Sequence, residues 1–392
     1  MVLEIPPRPL QPYPLSRDGR WIADAKGAHV PLVGVNWPAH LDTMLPEGLR
    51  YQSIPDIVQK ISDTGFNFAR LTFAVEMVDD VLDRGGDVKI QDALARALGS
   101  ENGERVLRMV FDAVAVELAA RSIYLHLDNH VSKGYWCCSL TDGNSWFGDT
   151  FFDTTKWTRA LAYMAAHFKK GRTNWGTFTS IGLRNELRPA TTSVSMLLCY
   201  KWSTYQTYMT AAASAIYAAN PSLLIFFSGL ESVFNVAPLV AGTTLLDPGF
   251  KLDVSTYECK NKFVLELYEY DENISGICPI YKGILNTFGG DATTRTIGNA
   301  PAPLVISEWG GSMANPNVWN GPYVRCLAEF MIERGLGWAV WVVAGSYYVR
   351  EGTQDYDESY GLLDHTWSGY RGTRSNEVIK KLIADTYKYY GQ

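Results

Sequence analysis

Several function classes are excluded by what this chain does not contain. Lys and Arg number 35 against 41 Asp and Glu, a net charge of −6, and no basic run is longer than two residues. Such a surface is a poor match for nucleic acid or for an anionic membrane, so neither is expected as a partner. No apolar stretch approaches the ~18 residues that a membrane-spanning helix needs. The longest, AAASAIYAA at 211–219, is short and built of small residues. Cysteines number only 6 and form no CxxC pair, which argues against a zinc ribbon or a dithiol redox centre. Asp142, Asp149 and Asp153 are too loosely spaced for a calcium loop, and no H-E-x-x-H set occurs, so no metal is expected. Gly34-Val35-Asn36 runs into Trp37-Pro38 instead of a glycine-rich phosphate loop, and no organic cofactor is implied. The first residues are Pro-rich and carry no basic and apolar leader pattern. The expectation is an extracellular mature form with its signal removed, the alternative a cytoplasmic protein.

Aromatic residues, in contrast, are abundant: 12 Trp, 22 Tyr and 16 Phe, or 13%. Their faces stack on the C–H faces of sugar rings as readily as they fill a core. Hydrophobic residues at 47% and charged residues at 19% describe a packed globular chain. Short β-branched runs at 30–35, 67–72, 122–127, 180–183, 223–227, 263–267, 304–307 and 338–342 read as strands. Amphipathic segments at 54–64, 103–120, 155–169, 202–220 and 323–334 read as crossover helices. Eight such strands with intervening helices, and no linker that divides the chain, predict an α/β fold: a single (β/α)8 TIM barrel over 1–392 with enlarged βα loops. Residues 1–28 are expected as an extended N-terminal segment packed on the barrel, and the enlarged loops at 132–152, 231–262 and 344–369.

In a barrel the polar residues at the C-terminal strand ends face the substrate. Arg70 ends the second strand, Asp128-Asn129-His130 follow the third, Asn185-Glu186 the fourth and Glu308 the seventh, with Trp341 on the eighth. A lone Glu at a strand end is usually an ion-pair partner, but two facing each other across the mouth are what glycoside hydrolysis needs, one holding a proton and one ionised. A guanidinium at Arg70 beside Glu308 would hold that carboxyl down, and a more apolar niche would keep Glu186 protonated.

These residues resemble glycoside hydrolase family 5, the cellulase family. The likeness rests on GVNWPAH, GFNFARLTF, LDNH, Asn185-Glu186, Glu308-Trp309-Gly310, VWVVAG and YGLLDHTW, in that order from about residue 32 to 367. The resemblance implies Glu186 as acid/base, Glu308 as nucleophile, Asn185 as partner of the sugar 2-hydroxyl, and Arg70 as the holder of the nucleophile. It further implies His130 and Trp341 as substrate contacts and Tyr270 as a tyrosine touching the nucleophile. Tyr268 stands where the family has histidine, and a phenol there can donate a hydrogen bond without carrying charge near neutral pH. Trp37, at the end of the first strand, and Trp136, in the loop after the third with Tyr135, Trp146 and Phe147, complete the expected sugar-contacting set.

The function so implied is a retaining β-glycosidase acting by double displacement on β-linked glucan, endo-β-1,4-glucanase-like, with a carbohydrate substrate as partner and a monomeric state. Alternatives are a β-mannanase, an exo-acting β-glucosidase or diglycosidase, and a carbohydrate-binding pseudoenzyme. Adjacent Cys137 and Cys138 are expected not to bridge each other, and one of them is expected to reach Cys259 or Cys278.

Overall fold

The computed structural model describes residues 13–83, 106–167, 175–191, 193–272, 274, 276–294 and 301–391. Eight parallel strands close a barrel: β1 (Val33–Trp37), β2 (Phe68–Ala74), β3 (Tyr124–Val131), β4 (Phe178–Gly182), β5 (Leu224–Ser228), β6 (Phe263–Glu269), β7 (Leu304–Trp309) and β8 (Gly337–Val340). Each strand pairs with its sequence neighbour, and β8 closes on β1 through Trp338 opposite Val33 and Val340 opposite Val35.

Several strands run past the ends expected from their apolar runs. β2, β3, β6 and β7 continue through Ala74, Val131, Glu269 and Trp309. The reason is that pairing persists while inward side chains change from apolar to polar near the mouth, so hydrophobic periodicity stops before the hydrogen-bond ladder does.

Alternation assigns the two faces. Outward residues such as Val33, Val35, Trp37, Leu71, Leu127, Ile306 and Trp338 join the large cluster under the helices. Inward residues Phe68, Tyr124, Phe226, Val264, Val305 and Ala339 fill the floor of the barrel together with Leu15, Ile22, Val30 and Leu32. Ser16–Asp18 and Trp21–Ala23 of the N-terminal segment form a hairpin, and its Leu15 and Ile22 belong to that floor. Residues 1–12 lie outside the described residues.

Among the crossover helices, Ile54–Thr64 starts at Ser53, whose side chain accepts from the Asp56 amide, and stops at Gly65 in the left-handed region. The helices expected at 103–120 and 155–169 are described as Val106–Ala120 and Thr154–His167; 103–105 and 168–169 lie outside the described residues. Trp202–Ala219 and Pro322–Arg334 complete this set, and Thr373–Tyr389 ends the chain. The loop after β8 holds a second hairpin, Ser346–Arg350 with Thr353–Asp357. No described helix is long and apolar enough to cross a membrane.

β7 contains one local departure. Ile306 faces Leu267 and Trp338, Glu308 faces Tyr268, and Trp309 faces Val340, so Ser307 and Glu308 together oppose the single residue Ala339. This is a β-bulge. It turns both Ser307 and Glu308 inward, and without it alternation would send Glu308 toward the helices.

Candidate active site

Arg70, wholly buried on β2, is the hub of the mouth. Its guanidinium donates to Glu308 Oε1 at 2.6 Å and to Asn36 Oδ1 at 2.8 Å, pairs with Asp128 Oδ1 at 2.8 Å, and reaches Asn185 Oδ1 at 3.3 Å and the Tyr268 hydroxyl. Burial opposes its charge, but the acids and phenol around it outweigh that and hold its pKa well above the usual arginine value. The Tyr268 hydroxyl in turn donates to Asn185 Oδ1 at 2.6 Å. Tyr268 therefore fills the histidine position of the resemblance as a neutral donor, its own ionisation pushed up by burial.

Asp128 Oδ2 accepts from His130 Nδ1 at 2.7 Å, and the Asn185 amide lies 3.3 Å from His130 Nε2. That pattern assigns the proton to Nδ1. Burial and then Arg70 lower the His130 pKa well below the ordinary value, so the ring is neutral. It stacks on Trp341 with centroids 5.6 Å apart and planes 17° apart. On its other partner side lies His40, 3.9 Å away between centroids, held by Thr72 at 2.7 Å.

Glu186 follows β4 with φ of 37°, a region that side chains other than glycine seldom occupy. Glu308 accepts from Tyr270 at Oε2, 3.1 Å away, as well as from Arg70. Both acids, with His130, Trp341, Tyr270 and Trp136, line one cavity of about 350 Å³. Burial raises both carboxyls, Glu186 to about 7 and Glu308 to about 8. This corrects the expectation of a depressed Glu308. The cause is burial, which outweighs the downward pull of an Arg70 guanidinium shared with Asp128, and the facing Glu186 adds to the rise. The niche of Glu186 is also not apolar, because Arg188 and the Ser232 hydroxyl oppose its upward shift. Two such acids titrate as a pair holding one proton near neutrality. Direct partners assign the remaining negative charge to Glu308, which receives two hydrogen bonds, one from a guanidinium.

Of the expected site residues, Arg70, Asn185 and Tyr268 stand behind Glu308. His130, Trp341, Tyr270 and Trp136 stand with both acids at the cavity. Trp37 does not join them. It is wholly buried with the parity of Val33 and Val35, its Nε1 donating to the Glu47 carbonyl at 3.0 Å, so it is a core residue. Trp146 and Phe147 likewise anchor their loop in the core, and only Trp136 of that loop's expected aromatics reaches the cavity.

Other residues at the site carried no sequence signal used above. Asn36 hangs on the Ser307 carbonyl at 2.9 Å and orients Arg70. Its parity, opposite to Trp37, marks it as inward. The hairpin after β8 supplies Arg350, which lies over Trp136 at 3.5 Å and over Tyr356 at 4.6 Å and pairs with Glu358 at 2.9 Å. With Tyr360 these form one wall of the cavity.

The expected cysteine pairing is overturned. Cys137 bridges Cys138 across a cis peptide, and Cys278 bridges Cys326, leaving Cys199 and Cys259 free. Chain neighbours can bridge when their peptide is cis, which brings the two side chains to one side. Among the described residues, the cluster whose ligand-type atoms lie within 4.8 Å of one another is Cys137, Cys138 and Glu186, with the two sulfurs bonded to each other.

Residues 23–346 match the family model Cellulase (glycosyl hydrolase family 5). A glycosyl hydrolase 5 family protein of Chamaecyparis obtusa is 31% identical over 97% of this chain and 68% of its own length. Among solved structures, the catalytic domain of the major endoglucanase of Xanthomonas campestris pv. campestris superposes with a TM-score of 0.67 at 18% identity, over 96% of this chain and 100% of that one. An endocellulase of Pyrococcus horikoshii in complex with cellotetraose gives a TM-score of 0.67 at 17% identity, over 95% and 100%. These structures share the barrel. With the barrel, the paired acids and the matched family model in agreement, this chain belongs to glycosyl hydrolase family 5, the cellulase family.

Proposed function

We propose that the protein is a retaining β-glycosidase that hydrolyses β-linked glucan-type oligo- and polysaccharides. The observation that carries this reading is that Glu308, gripped by Arg70 and Tyr270, shares a cavity with Glu186 and Trp341. Glu308 attacks the anomeric carbon and forms a glycosyl ester. Glu186, poised near pH 7, gives its proton to the leaving oxygen and then takes one from the incoming water. Trp341 offers its face to the sugar, and Asn185, fixed by Arg70 and Tyr268, is positioned for the neighbouring hydroxyl. Structural neighbours that are endocellulases support a β-1,4-glucan as substrate.

A shorter substrate and exo action have an observation of their own, since Arg350, Glu358 and Tyr360 wall the cavity on one side. Two disulfides among the described residues support an exported, oxidised protein.

The test is hydrolysis of cello-oligosaccharides followed by proton NMR. The first-formed product keeps the β-anomeric configuration, and Glu308→Gln abolishes turnover. An inverted product refutes double displacement, and no turnover by the wild type on any β-glycoside refutes the enzyme reading. The chain lengths of the products separate endo from exo action.

A further inference from the structure

The mechanism above makes no use of the Cys137–Cys138 disulfide. A bridge is commonly explained by the loop it closes in the unfolded chain, an effect that grows with loop length. The Cys278–Cys326 bridge spans a sequence separation of 48 and fits that explanation. Cys137–Cys138 has a separation of 1 and closes nothing. Its location suggests another purpose. One side packs in a small cluster of Ala74, Val131 and Cys137, with Met44 and Cys138 against it, while both cysteines also line the cavity that holds Glu186 and Glu308. The Asn185 amide lies 3.6 Å from one sulfur and 3.8 Å from the other. Both sulfurs are within 4.8 Å of a Glu186 carboxylate oxygen.

Chemistry distinguishes the bridged pair from two thiols at this place. Free thiols would bring two titratable groups, with ordinary pKa near 8.5, beside an acid pair that must hold a single proton. The bridged pair has no proton to lose. It presents an uncharged, polarisable surface of the kind that accepts apolar C–H groups, and its sulfurs accept weakly from the Asn185 amide.

We propose that the Cys137–Cys138 disulfide is a substrate contact: its cavity-facing sulfurs receive the sugar unit bound beside Glu186 and help to aim the Asn185 amide at that sugar. The inference rests on the glycosidase reading given above. It makes the bridge a determinant of sugar affinity and leaves the proton transfers to the two glutamates.

The experiment is binding of cellotetraose to Glu308→Gln, by calorimetry, with and without the added pair Cys137→Ser and Cys138→Ser. The bridge-free protein is expected to bind about 10-fold more weakly, and with Glu308 intact its KM rises by a similar factor while kcat changes less than about 3-fold. Replacing Cys278 and Cys326 by Ser lowers the melting temperature and leaves KM unchanged. Should the serine variant fail to fold, the wild type is treated with a water-soluble phosphine. This converts the disulfide to two thiols as the phosphine takes oxygen from water, and alkylation with mass spectrometry confirms that 137 and 138 have opened. KM is then measured before and after reoxidation. Unchanged affinity in either form overturns the proposal. A wild type that turns over no β-glycoside removes the earlier reading and this one together, whereas normal turnover with an unaltered KM after bridge loss removes this one alone.

Discussion

Tyr268→Phe removes one oxygen atom from the hub and leaves the ring that fills the barrel. That oxygen donates to Asn185 Oδ1 at 2.6 Å and accepts from Arg70. The Arg70 nitrogen that loses its acceptor keeps Asp128 at 2.8 Å and Asn185 at 3.3 Å, so no buried donor is stranded. The cost then falls near the loss of one hydrogen bond to a charged group, about 1.5–3 kcal/mol. For a chain of 392 residues that corresponds to a melting temperature lower by about 2–4 °C. The same loosening reaches the sugar through Asn185. If the whole loss appears at the transition state, kcat/KM on cello-oligosaccharides falls about 10- to 100-fold. A double-mutant cycle with Asn185→Ala isolates the route. If Tyr268 acts by holding Asn185, the effect of Tyr268→Phe on kcat/KM shrinks to less than about 3-fold in the Asn185→Ala background. Additive effects, or a Tyr268→Phe protein with wild-type kinetics, would refute the argument that the phenol replaces histidine as an orienting donor.

Burial raises Glu186 to about 7 and Glu308 to about 8, above the unfolded value near 4.5. The folded state therefore holds these protons more tightly, and the stability present below about pH 4.5 is given up as pH climbs through 7 to 8. Melting temperature is expected to fall across that window, with a shallower slope in Glu308→Gln, and equal slopes would defeat the assignment. Trp37→Phe should leave KM on oligosaccharides within about 2-fold, while lowering the midpoint of urea unfolding, because it loses core volume and the bond to the Glu47 carbonyl. Gly310→Ala should lower both expression and melting temperature, since the added Cβ would collide with the Trp341 carbonyl oxygen, and a wild-type melting curve would contradict this. Arg350→Ala frees a face of Trp136 and removes the partner of Glu358. It should alter KM for longer oligosaccharides more than for aryl glycosides, as steady-state kinetics on both would reveal.

The barrel was legible in the sequence because eight apolar runs, buried on both faces, leave a strong pattern, and the acids were legible because they stand where those runs end. Parity in β1 argues against one expected contact: Trp37 continues the series Val33 and Val35, which points it at the helices and leaves Asn36 to face the mouth. What resisted reading depends on contacts between distant segments or on a bond between chain neighbours. The bridge between Cys137 and Cys138 joins two such neighbours, a pairing that no spacing rule announces. The pKa of Glu308 depends first on its burial and then on how Arg70 splits its charge between two acids, and Asp128 sits 58 residues beyond Arg70 in the chain. The wall made by Arg350 and Glu358 comes from a hairpin whose second strand, Thr353–Asp357, is polar and mostly exposed and carries little periodicity.

The extra residue in β7 sets a limit on how this enzyme can be remodelled. Ser307 and Glu308 share one place opposite Ala339, so the aim of the Glu308 carboxyl is a matter of residue count as well as residue type. Deleting one position between Ile306 and Trp309 would regularise the ladder and leave a single inward place opposite Ala339, so Ser307 and Glu308 could not both face the mouth. Grafting this inward pair onto a regular barrel strand calls for an insertion alongside the substitution.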